Sequence, residues 1–232
     1  TNSIHNSLRL ARENARTIRD IIPREAWEAI NNLYHQSKST AQSGYGRKGR
    51  FYYMQSIILG AQTITGMQAG TKLHDMGYDF LKMGRKMERA DMTTRIIDDR
   101  SADLLPEHEE MTPFENIQWM SVLKSLTAYQ MYRRTIQERV SRPYVLKFLL
   151  KEKRFPRSFF HALLEVKSCL KHLPRNEEAI DVLNEVGKKV LRADQAILQQ
   201  DELHRFIDEL QLGLSDIHQM IYRTYFRHIA VD

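Results

Sequence analysis

Apolar residues recur at three- and four-residue intervals along most of the chain, and no stretch alternates as a half-buried strand does. Leu8, Ala11, Ala15 and Ile18 give a first helix over 3–20, capped by Ser3 and broken at Pro23. Ala26, Trp27, Ile30, Leu33 and Tyr34 give a second. The polar, Gly-rich stretch 37–50 reads as a connector. The spacing predicts a third helix over 51–65, interrupted by Gly66 and Gly70, and a long central helix from about 71 to 102. An acidic loop over 103–111 follows, then Thr112-Pro113-Phe114-Glu115 as a capping box for a fifth helix reaching Val140. Ser141-Arg142-Pro143 opens a short helix to Leu150, and Phe155-Pro156-Arg157-Ser158 opens another that Pro174 ends. Two more helices cover about 176–198 and 201–228. The expected fold is all-α: a single domain over 1–232, a bundle of about eight to nine mostly antiparallel helices around the long central one.

The central helix departs from an ordinary amphipathic pattern. At about 100° per residue, Gly84, Glu88, Asp91 and Arg95 share one stripe, which Asp98 and Asp99 continue. Phe80 and Met87 flank it on one side, Leu81 and Met92 on the other. Lys82, Lys86, Arg89 and Thr93 form a separate face, which the wheel assigns to solvent. The stripe therefore reads as a charged seam between apolar neighbours. Of the Glu-Arg pair, Glu88 is expected inward and Arg89 against a neighbouring helix or a partner.

Composition adds limits. The chain has 232 residues, 42% hydrophobic and 28% charged, enough for a sizeable core. The single cysteine, Cys169, excludes an internal disulfide and reads as a small core residue in a reducing compartment. No apolar run approaches a membrane span, and no signal peptide is visible. A net charge of +6 permits an anionic partner, but 29 acidic residues against 35 basic ones read as a mixed surface. Nucleic-acid binding through Arg47, Lys48 and Arg50 therefore ranks last.

No pattern specifies a metal or cofactor. Asp201-Glu-Leu-His204 and Asp216-Ile-His218 fall short of the paired Glu-x-x-His of di-iron bundles. Zinc, P-loop and nucleophile-elbow motifs are absent. What remains is clustered charge: Arg12, Glu13 and Arg16 on the first helix; Arg85, Glu88, Arg89, Asp91 and Arg95 on the central one; Arg133 on the fifth; and Arg157 in the first turn of the seventh. If these faces converge, guanidinium groups with supporting carboxylates would hold a phosphate or carboxylate, such as an anionic small molecule or a peptide. The alternatives are a salt-bridge network that fixes helix register and catalysis by Glu88 or Asp91 as acid and base.

Gly84-Arg-Lys-Met-Glu88-Arg89-Ala-Asp91 resembles the motif of the bacterial alpha-E domain. Ala11-Arg12-Glu13-Asn14-Ala15-Arg16 with Trp27, Phe80-Leu81 before Gly84, Phe155-Pro156-Arg157-Ser158, and Tyr222 with Thr224-Tyr225-Phe226 extend the resemblance over nearly the whole chain. Family members usually begin with an earlier helix bearing a first Glu-Arg motif. That segment is absent here and the chain begins at Thr1, so the expectation is a domain cut at its N-terminus. The resemblance implies an all-α fold, a bacterial cytoplasmic setting, and association with circularly permuted ATP-grasp ligases and transglutaminase-like proteins. It implies a role in a peptide-ligation or peptide-modification system, as a partner, substrate-presenting or regulatory module or as an enzyme of the same pathway.

Overall fold

The computed structural model describes residues 3–40, 46–102, 112–194 and 200–227, apart from the side chains of residues 47, 101, 102, 112–114 and 200. These residues form ten helices and no strand. Residues 1–74 make one compact unit and 75–232 a second.

The first unit holds α1 (Ile4–Thr17), α2 (Arg24–Thr40) and α3 (Arg47–Thr71). Ser3 caps α1, its hydroxyl accepting the Asn6 N–H at 3.1 Å. His5 lies 3.3 Å from Ser37, and Arg12 donates to Asn31 at 2.7 Å, so α1 and α2 run antiparallel. The helices reach further than the sequence pattern suggests. Much of the connector expected over 37–50 belongs to the ends of α2 and α3, while 41–45 lie outside the described residues. Gly66 and Gly70 lie within α3, each costing no more than ~1 kcal/mol there. The real break falls at residues 72–75. There the Asp75 carboxylate accepts the Tyr78 N–H at 2.9 Å and starts the next helix.

The second unit holds α4 (Met76–Ala102), α5 (Thr112–Ser125), α6 (Tyr129–Ile136), α7 (Arg142–Lys151), α8 (Phe159–Leu170), α9 (Glu177–Arg192) and α10 (Gln200–Tyr225). The expected fifth helix is two elements, α5 and α6. Thr127 takes a left-handed φ of 52°, and Ala128 donates to the Leu123 carbonyl at 2.7 Å, an αL stop made without glycine. The acidic stretch 103–111 lies outside the described residues.

The contacts of α4 set the topology. Asp79 meets His172, Lys82 meets Glu165 and Thr93 meets Arg157, so α8 runs antiparallel to α4. Phe80 packs edge-on against Tyr225 while Asp98 meets His204, so α10 does the same on another flank. α9 joins α8 to α10: Lys167 donates to Asn184, and Gly213 leaves room for Val186. The core is filled by Met83, Ala90 and Ile97 of α4, the apolar face of α8, and large side chains such as Trp119, Tyr132 and Phe148. Cys169 is part of it. Burial pushes its thiol up to about 11, outweighing the opposing charge of Lys82.

The wheel assignment of α4 is reversed. The face assigned to solvent packs on α8: Thr93 is 1% exposed, and the ammonium groups of Lys82 and Lys86 both lie 3.1 Å from one Glu165 oxygen. Their aliphatic stems lie along the helix interface while the charged ends pair, as long cationic side chains do at such edges. The Glu88 seam is the more open face.

Candidate functional site

The seam lines a groove between α4 and α10. Gly84, Met87, Glu88, Asp91 and Arg95 form one wall, and Gln211, Leu214, Ser215 and His218 the other, around a volume of about 420 Å³. The antiparallel register sets Gly84 across from His218 and Asp91 across from Gln211. The Phe80–Tyr225 contact closes one end, and the Asp98–His204 pair closes the other at 2.6 Å. From Gly84 to Arg95 the helix rises about 16 Å, the span of roughly five extended residues.

Met87 and buried Leu214 give the groove an apolar strip, and the remaining groups are polar. Arg95 Nε donates to Asp91 Oδ2 at 2.7 Å, which raises the guanidinium above its ordinary range. Glu88 is exposed and, among the described residues, makes no hydrogen bond or ion pair. It offers two acceptor oxygens to whatever enters. Ser215 and His218 face the groove, and no hydrogen bond joins them among the described residues. A Cβ built on Gly84 would meet nothing within 4 Å, so no other part of the described chain packs closely on this glycine.

The other candidates fall elsewhere. Arg85 and Arg89 lie toward the α8 side of α4, with Arg157 beside them. Arg89 is the inward member of the Glu-Arg pair and Glu88 the outward one, opposite to the reading that put Glu88 inside. Arg133 lines a separate cavity of about 620 Å³ with Asn116, Tyr129, Glu138 and Arg139. In the first unit, Arg12 bonds Asn31 and Glu13 and lies over the Tyr34 ring at 5.3 Å, while Arg16 also pairs with Glu13. That arrangement joins α1 to α2. The α10 wall of the groove is not among the residues the sequence singles out, where His218 counts only as falling short of a di-iron motif. Its signal was present: Gln211, Ser215 and His218 form a polar i, i+4, i+7 stripe beside the buried Leu210, Leu214 and Ile217.

Among the described residues, no group of three or more metal-binding side chains occurs, and no helix is long and apolar enough to cross a membrane. No solved structure gives a significant match. An uncharacterized protein of Mycobacterium bovis is 21% identical over 210 residues, and two from Mycobacterium tuberculosis strains are 21% and 20% identical over the same length. Each alignment takes in 86% of this chain but 23% of the relative, so the chain spans under a quarter of these proteins' length. Residues 1–226 match the Alpha-E family, described as a predicted alpha-helical domain with a conserved ER motif. This all-helical chain, matched over nearly its whole length and carrying Glu88-Arg89 on α4, belongs to the Alpha-E family.

Proposed function

We propose that the protein is a non-catalytic helical interaction module that holds or presents a peptide for an ATP-grasp-type peptide ligase. The α4–α10 groove would be the contact surface. The observation that carries this reading is the groove's composition: an apolar strip flanked by an unpaired carboxylate, an Asp91–Arg95 pair and the side chains of Gln211, Ser215 and His218. Such a surface can donate to and accept from an extended peptide backbone while covering an apolar side chain. The lack of a coupled nucleophile and base favours binding over chemistry. The mycobacterial relatives supply a second support, since the matching segment is 23% of a longer chain, as suits a module working beside other domains. Such a ligase needs ATP, so the module would work in the cytoplasm.

The test is co-purification of the full chain with an ATP-grasp-type ligase, followed by ligase assays with and without it. Binding, with a change in ligase activity that Arg95→Glu abolishes, is the expected result. If neither binding nor any change in activity appears, the proposal fails. If the Alpha-E protein alone turns over a peptide and Glu88→Gln stops it, the module is itself the enzyme.

A further inference from the structure

On the flank of α4 away from the groove, three arginines come together with no carboxylate paired to them among the described residues. Arg85 and Arg89 are one turn apart, and Arg157 stands just before α8. All three are partly buried. Arg89 is held below the ordinary guanidinium range by burial first, then by the charges of Arg157 and Arg85. Among the described residues, no carboxylate pairs with any of the three guanidinium groups, and Nη1 of Arg85 is buried with no hydrogen-bond partner. The contrast with nearby charges is sharp: Lys82 and Lys86 share Glu165, and Arg95 has Asp91.

The backbone around the cluster is fixed. The Thr93 hydroxyl, one turn beyond Arg89, lies 2.9 Å from both the Arg89 and the Arg157 carbonyl oxygens and donates between them. Ser158 caps α8, accepting the His161 N–H at 3.1 Å, and donates to the Glu152 carbonyl. Three like charges held on two tied elements repel one another, and a buried donor is left unbonded. A bound anion relieves both costs. One carboxylate presents two oxygens and a single charge, matching one guanidinium fork. A phosphate-class oxyanion presents three or four acceptor oxygens and up to two charges, matching several.

We propose that Arg85, Arg89 and Arg157 form a binding site for a phosphate-class oxyanion, either free phosphate or the phosphoryl group of a larger molecule. The site lies on the opposite flank of α4 from the groove and does not depend on the groove's partner.

The full chain is dialysed into a phosphate-free buffer and titrated with inorganic phosphate, and separately with ADP, at ionic strength held constant with sodium chloride. Calorimetry and the thermal midpoint are read together. The expected result is saturable binding and a midpoint that rises with phosphate beyond any effect of chloride. Arg157→Gln and Arg85→Gln each weaken binding by at least about tenfold. Arg85→Gln without phosphate unfolds no earlier than the parent, because it removes repulsion and not a salt bridge. Tighter binding of ADP than of phosphate assigns the site to the phosphoryl group of a larger ligand; the reverse assigns it to free phosphate. The proposal is overturned if both act no differently from chloride, or if binding persists undiminished in both variants. The phosphate titration of the parent protein reads the outcome even if a variant fails to fold.

Discussion

Two glycines show how one residue type can serve opposite ends. Gly213 faces Val186 so closely that an added Cβ would stand 2.7 Å from Val186 Cγ2. Valine cannot rotate away cheaply, since its branched side chain is stiff at χ1. Gly213→Ala is therefore expected to destabilise the second unit by ~1–3 kcal/mol in denaturant unfolding. Gly84 has open space where its Cβ would be. Gly84→Ala is expected to stabilise the chain by up to ~1 kcal/mol through helix propensity alone. If the glycine is present because a partner's backbone comes close, the same change weakens partner binding. A more stable Gly84→Ala chain that still binds its partner at full strength would mean that the partner does not lie over the glycine. The sequence marks both residues as helix-interior glycines and cannot separate them, because only the neighbouring helix decides whether the missing methyl has room.

Among the elements, α4 carries most of the argument, and its environment was only partly legible. Its existence and approximate length follow from periodicity, as does the sharing of one stripe by Gly84, Glu88, Asp91 and Arg95. Which way the stripe faces does not follow. A wheel treats Lys82 and Lys86 as solvent-seeking, but Glu165 on α8 lies far off in sequence and draws both inward. Likewise Asp75 marks a boundary through a local hydrogen bond, where the pattern looks to Gly66 and Gly70, and Thr127 marks one where the pattern shows a continuous helix. The two interfaces of α4 should respond oppositely to pH. His204 is raised above its ordinary 6.5 by hydrogen bonding to Asp98, then by the charges of Asp98 and Asp208. Its contribution to the α4–α10 contact is thus complete below about 6.5 and lost as pH rises through the raised folded value. Burial pushes Glu165 up, but hydrogen bonds and charges from Lys86 and Lys82 outweigh it and hold the carboxyl below its ordinary 4.5. Its contribution to the α4–α8 contact is complete above about 4.5 and lost as pH falls through the lowered value. Unfolding measured from about pH 2 to 9 should show the alkaline loss vanish in His204→Ala and the acid loss shrink in Glu165→Gln. An unchanged profile in both would contradict these two contacts.

For the molecule as a whole, the all-α class and family membership were readable from the chain, while the division of its candidate residues was not. Arginines that looked like parts of one seam serve different ends. Arg12 and Arg16 belong to helix packing in the first unit, Arg95 to the α4–α10 groove, and Arg85, Arg89 and Arg157 to a cationic cluster beside α8. Sequence distance hides this sorting, since it depends on which helix each guanidinium meets after folding. The central claim is that the groove is a recognition surface, and direct titration of an ATP-grasp-type ligase with the full chain and its Arg95→Glu variant tests it best. Reversing Arg95 breaks its pair with Asp91 and places three carboxylates along one wall, but the side chain is exposed and the fold should survive. The expected result is saturable binding by the parent chain and at least about a tenfold loss in the variant, with unchanged helicity. Equal binding by parent and variant, or no binding by either, would contradict it.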